Sequence, residues 1–184
     1  MHSTPASLLD RLRSPDDAEA WVRFVRLYTP FLYYWANRNG LQESDTEDLV
    51  QEVFAQLLKA LPQFQFDPNR SFRAWLAVVV GNKWRELNRK RRPQTVPASD
   101  LDEQPAPEAD FDDREYRAHI AGRALKLIQE EFAPPTWKAF WAAVVERRPA
   151  NAIAIELGIS PNAVYLARGR VLRRLREELK GLVD

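Results

Sequence analysis

Cysteine is absent from all 184 residues, which excludes disulfides, thiolate metal sites and thiol nucleophiles together and leaves the redox compartment open. Glycine is scarce, at 6 residues, and none of them builds a phosphate-cradling loop. The only histidines, His2 and His119, stand alone, and the carboxylates are scattered without a partner for acid–base work. A chain with no catalytic residue, no metal and no cofactor is therefore expected. No stretch approaches the roughly 20 apolar residues of a membrane span, and the N-terminal MHSTPASLLDRLRSPDD lacks a signal-peptide core. These absences predict a cytoplasmic location and no membrane partner. Long apolar–polar alternation is missing too, which argues against strands and for an all-α chain.

What the sequence does contain is charge, sorted along its length. The net charge of +1 conceals two basic blocks and an acidic one. KWRELNRKRR (83–92) holds six basic residues and one acid, RGRVLRRLREELK (168–180) six and two, and Ser99–Glu115 eight acids and one arginine. Two cationic surfaces separated by an anionic spacer have the pattern of a nucleic-acid footprint.

Apolar spacing predicts the helices. Trp21, Phe24, Val25, Tyr28, Phe31, Leu32 and Trp35 recur at intervals of three and four, with Pro30 a point of kinking or division. In ESDTEDLVQEVFAQLLKALP, Ser44 and Glu47 have capping-box spacing. Leu49, Val50, Val53, Phe54, Leu57, Leu58 and Leu61 form the inward stripe, and Glu47, Asp48, Gln51 and Glu52 the opposite face. After QFQFDPNRS, Ser71 is a candidate N-cap for a helix that begins apolar (Phe72, Trp75, Leu76, Val79, Val80) and ends cationic. The composition from 94 to 113 is too acidic and proline-rich to offset the entropy of ordering, so a flexible linker is expected there. It divides the chain into modules 18–93 and 114–184, with an N-terminal tip at 1–17.

Near the C-terminus, Ala150, Ile153, Ala154 and Leu157 mark a short helix and Gly158 a sharp turn. Ser160-Pro161 supplies an N-cap and first helical residue. A longer helix follows, with Val164, Ala167, Val171, Leu172, Leu175 and Leu179 inward. Asn162, Tyr165, Leu166, Gly169, Arg170 and Arg173 face out, the side from which a helix reads base edges in the major groove. This is a helix-turn-helix pattern. Trp137, Phe140 and Trp141, at helical spacing, are expected in the core rather than as a stacking platform for bases.

Taken in order, DTEDLVQEVFAQLLKAL, SFRAWLAVVVGNKWRELNRKRR and the helix-turn-helix after an acidic linker resemble the bacterial extracytoplasmic-function (ECF) sigma factors, over about residues 18–92 and 114–180. That resemblance implies an RNA polymerase subunit that directs initiation from chosen promoters. Its first module would bind the clamp helices of the polymerase β′ subunit through Asp48, Leu49, Gln51, Glu52 and Phe54. It would hold the minus-ten element with Phe64, Asn82, Lys83, Arg85, Arg89, Lys90 and Arg91. The C-terminal module, expected to be a four-helix, winged-helix-like unit, would read the minus-thirty-five element through Asn162, Tyr165, Leu166, Gly169, Arg170 and Arg173. An anti-sigma factor is a further partner that the resemblance allows and no residue demands.

One departure stands out. Tyr165, Leu166 and Ala167 occupy positions where the family commonly carries Lys-Ser-Arg, so hydrogen-bond readout is poorer, and Leu166 is left to meet a thymine methyl or to follow DNA shape. Two other classes compete with the sigma reading. A polymerase-independent helix-turn-helix regulator leaves the DTEDLVQEVF face without a role, and a protein-interaction module leaves the paired basic surfaces unexplained.

Overall fold

The computed structural model describes residues 7–64, 71–91 and 111–183, the side chain of Arg91 excepted. The expected linker therefore lies mostly outside the described residues. Its last three residues do not behave as linker: Phe111 is buried, Asp112 caps a helix and Asp113 begins it. Among the described residues the chain is all-helical, without a strand, so no wing accompanies the helix-turn-helix there.

A short α1 (Leu8–Arg11), closed by a Ser7–Asp10 capping box, precedes α2 (Ala18–Arg38), α3 (Glu43–Ala60) and α4 (Phe72–Arg91). Helices α2, α3 and α4 pack through Phe24, Leu27, Tyr28, Leu49, Val53, Leu57, Phe72 and Leu76, each fully enclosed. Ser71 caps α4 as expected, its Oγ accepting from the Ala74 N–H at 3.1 Å. Ser44 does not cap α3. That helix begins at Glu43 with Gln42 as an N-cap that makes no side-chain bond. Ser44 is already inside the first turn because buried Thr46 is drawn back to Asn37, donating to its Oδ1 at 3.2 Å. Val25 and Leu58, expected inside, are exposed at the edges of their stripes.

The second set comprises α5 (Asp113–Ile128), α6 (Pro134–Val144), α7 (Ala150–Leu157) and α8 (Pro161–Leu179). Gly158 takes the left-handed conformation (φ 66°) that ends α7, and the Ser160 Oγ accepts from the Ala163 N–H at 3.1 Å to start α8. Ile153, Ala154, Val164 and Ala167 close the corner between α7 and α8. Phe140 is core, Trp137 is half-buried, and Trp141 lies at the surface.

Between α6 and α7, exposed Arg147 sits at φ 55°, a left-handed conformation that strains a residue with a Cβ. Arg147→Gly is expected to stabilise the fold by about 0.5–1 kcal/mol, the relief of that strain less glycine's greater entropy loss. Thermal melting should register it as a Tm rise of about 2 °C.

The two sets do not stand apart. Phe111, Tyr116, Ile120, Ala124, Leu127 and Leu182 belong to the same core as α2 and α4. Pro30 does not divide α2, which runs on through it for 21 residues. Proline's missing N–H leaves the Arg26 carbonyl without its helical donor, and Arg123 of α5 supplies one, its Nε–H donating at 2.8 Å. Deeper in, the Tyr116 hydroxyl donates to the Leu182 carbonyl (2.8 Å) and lies 2.7 Å from the Tyr28 hydroxyl. Tyr116 has one proton, so the Tyr28 O–H is the donor between the two rings.

At the far end of the same seam, four charges from three elements alternate in sign. Arg23 of α2 pairs with Glu131, in the turn after α5, at 2.7 Å, and with Glu178 of α8. Arg174 of α8 pairs with Glu131 at 2.7 Å and with Glu178 at 2.9 Å. Only 4% of the Glu178 side chain is exposed, so its charge is tolerated because both arginines are present.

Candidate nucleic-acid and polymerase interfaces

All six candidate residues on α8 are exposed: Asn162, Tyr165, Leu166, Gly169, Arg170 and Arg173. Their spacing of three and four puts them on one side, opposite buried Val164, Ala167 and Val171. Arginines elsewhere on the surface are mostly committed. Arg11 holds Asp17 and Glu19, Arg38 holds Glu115, Arg148 holds Glu156, and Arg174 is bound into the seam. Arg168, Arg170, Arg173 and Arg176 on α8 have no ion pair or side-chain hydrogen bond among the described residues. A helix that carries unneutralised cations outward is prepared for an external polyanion.

On α4, Asn82, Arg85 and Arg89 share one shallow groove with Glu86. The Arg85 guanidinium donates to the Asn82 Oδ1 at 2.8 Å, which aims the amide along the helix. Arg89 is exposed and has no partner among the described residues. Lys83 and Lys90 are engaged instead. Glu86 takes Lys83 at 3.0 Å and Lys90 at 2.9 Å, and these bonds, that of Lys90 first, hold its carboxyl down to about 2. The Lys83 ammonium is pushed up, by Glu86 foremost and by Glu52 across the helix pair. Both groups therefore stay charged through the neutral range, and any phosphate contact by Lys83 or Lys90 competes with Glu86. Phe64 is half-buried, its ring centroid 4.7 Å from that of Trp75 and 5.8 Å from that of Phe72. Residues 65–70, the rest of its loop, lie outside the described residues, as does the Arg91 side chain.

On α3, Asp48, Gln51 and Glu52 are exposed together with Glu47, forming an acidic and amide face. Leu49 is not part of it. At 1% exposure it is core and supports the face from beneath, because the rotation of about 100° per residue carries it past the edge of that face to the side of buried Val50, Val53 and Leu57. Phe54 is half-buried, edge-on to Phe24 at 6.2 Å. The Lys83–Glu52 pair, at 3.3 Å, brings the α3 face and the α4 face into contact, which the sequence did not disclose.

The family description Sigma-70 region 2 matches residues 24–94. The ECF RNA polymerase sigma factor ShbA of Streptomyces griseus is 33% identical over 135 residues, 71% of this chain and 69% of that protein. RNA polymerase sigma factor CnrH of Cupriavidus metallidurans is 33% identical over 159 residues, 79% of this chain and 76% of that one. The chain belongs to the ECF RNA polymerase sigma factors. A solved structure of CnrH in complex with the cytosolic domain of CnrY aligns with 91% of this sigma factor and 92% of that chain, at 27% identity and a TM-score of 0.39.

As a sigma factor the protein acts in transcription initiation, with RNA polymerase and promoter DNA as its partners. No helix among the described residues is long and apolar enough to cross a membrane, and no cluster among them is suited to a metal ion. The exposed candidate residues of α3, α4 and α8 face outward, while the seam between α2, α5 and α8 is closed. Sequence reasoning missed that seam, although Pro30 in mid-helix was a signal that a carbonyl sought an outside donor.

Proposed function

We propose that α8 reads the minus-thirty-five element as the second helix of a helix-turn-helix in the module 114–184. In this reading α4, with Phe64, holds the separated strand of the minus-ten element, and the acidic face of α3 docks on the clamp helices of the β′ subunit. The observation that carries the proposal is the contrast between committed and free charges. The outward arginines of α8 and Arg89 of α4 lack protein partners among the described residues, while the exposed carboxylates of α3 are unsuited to DNA and suited to a basic protein surface. Asn82 and Arg85 give the α4 groove base-edge and phosphate donors side by side. An anti-sigma factor belongs to this proposal as a partner. The relative CnrH has been solved with the cytosolic domain of CnrY, and a protein ligand of that kind is the one to seek.

The test compares two single variants bound to core polymerase on a panel of promoters at several salt concentrations. Arg89→Ala should weaken every promoter alike and reduce the salt slope by about one unit. Arg170→Ala should weaken promoters unevenly, by about 1–3 kcal/mol where its base is present. Equal effects from both would mean that the reading surface has been misplaced.

A further inference from the structure

The outward surface of α8 is unusual in being partly apolar. Leu166 is 51% exposed and Tyr165 60% exposed, in the middle of a helix whose neighbouring arginines are free. Leu166 forms one wall of an open notch of about 250 Å³, whose other lining is Pro135, Thr136 and Ala139 of α6, Ile159 of the turn, and Ala163, Ala167 and Arg170 of α8. Nothing among the described residues fills it. Three residues beyond Leu166, Gly169 sits inside the unbroken helix, and a Cβ built there would meet no atom within 4 Å. Packing inside the protein therefore does not require glycine at 169. Its cost to helix stability is explained if the backbone must come close to something outside.

We propose that Leu166 and this notch read thymine, receiving the C5 methyl of a base within about two pairs of the one that Arg170 contacts. The inference rests on α8 being the promoter-reading helix. Among the groups that identify a base on its major-groove edge the others are hydrogen-bond donors or acceptors, and the thymine C5 methyl is the one apolar projection, where cytosine offers only a C5–H. A leucine pressed against a guanine or adenine edge strips water from acceptors and returns nothing, so the same side chain that welcomes thymine discriminates against purines. The spacing agrees. Leu166 and Arg170 are four residues apart on one side of the helix, about 6 Å of rise, close to two base-pair steps of about 3.4 Å. Gly169 between them removes the side chain that would hold the helix off the groove floor.

Deoxyuridine differs from thymidine by that methyl alone, which makes the test direct. The full-length protein with core polymerase selects its preferred duplexes from a randomised library, and each thymine of the best duplex is then replaced singly by deoxyuridine. One position, within about two pairs of the Arg170-dependent base, should lose about fourfold in affinity. That loss should disappear in Leu166→Ala, whose substitution is at the surface and leaves the fold intact. If no thymine is sensitive, or if the sensitivity persists in Leu166→Ala, the thymine assignment is overturned while Arg170 dependence still supports α8 as the reading helix. If Arg170→Ala and Leu166→Ala both leave every position unchanged, the reading of α8 itself fails.

Discussion

Glu178→Ala should loosen the hold between the two sets of helices by a factor of several hundred. The carboxylate is 96% enclosed and neutralises Arg23 and Arg174 together. Its removal leaves two arginines beside one remaining acid, Glu131, and breaking a buried ion network in this way costs about 3–5 kcal/mol. Because the chain has no cysteine, Ser14→Cys with Lys180→Cys gives a uniquely labelled pair at exposed positions flanking the α1–α8 contact. Energy transfer between these labels should be high in the parent, fall in the Glu178→Ala background, and vanish at lower urea. Unchanged transfer and an unchanged urea midpoint would show that the ionic seam does not hold the helices together.

The seam matters because of a mismatch in length. A compact chain of this size has a radius of gyration of about 16 Å and is roughly 40 Å across. Two promoter elements about 25 base pairs apart are separated by about 85 Å of duplex. The closed arrangement cannot touch both, whereas the stretch 92–110, fully extended, reaches at most about 65 Å and lets separated modules do so. In the parent protein the same labels should therefore lose transfer when core polymerase and promoter DNA are both present.

The second large effect concerns α3. Reversing Asp48 and Glu52 to arginine in one variant should reduce affinity for core polymerase by more than about 100-fold. Placing like charges against a basic surface costs several kcal/mol. Both residues are exposed, so the thermal melt should barely move. Leu49→Ala is the informative contrast. It empties a site in the core and should destabilise the fold by about 2–5 kcal/mol, with polymerase binding lost only as the protein unfolds. A fully stable Leu49→Ala protein that fails to bind polymerase would restore Leu49 to the contact surface.

Much of this was legible in the residues, and what was not has identifiable causes. Helix periodicity located α2, α3, α4, α7 and α8, because an amphipathic stripe is a local property of sequence. Ser71 and Ser160 read correctly as caps, while Ser44 did not, since its register depended on Thr46 reaching Asn37 in a different helix. Charge type marked the α4, α8 and α3 surfaces, yet sequence could not separate Arg170, which is free, from Arg174, four residues on and tied to Glu131 and Glu178. Nor could it show that Lys83 is shared between Glu86 and Glu52, so that two surfaces assigned to different partners touch. Phe111 looked like part of an acidic linker because its neighbours are acids, but its ring packs edge-on to Phe31 at 4.8 Å. Each of these misses involves a contact between separate elements, Thr46 with Asn37, Arg174 with Glu131, Lys83 with Glu52 and Phe111 with Phe31, which periodicity and composition do not encode.

The most direct measurement is initiation itself: core polymerase on a randomised promoter library, with and without this protein, with transcript starts mapped to the base. Discrete starts at a fixed distance from two selected elements, present with the parent chain and lost with the Asp48/Glu52 reversal, are the predicted result. Tight duplex binding with no polymerase association and no discrete starts would contradict the account.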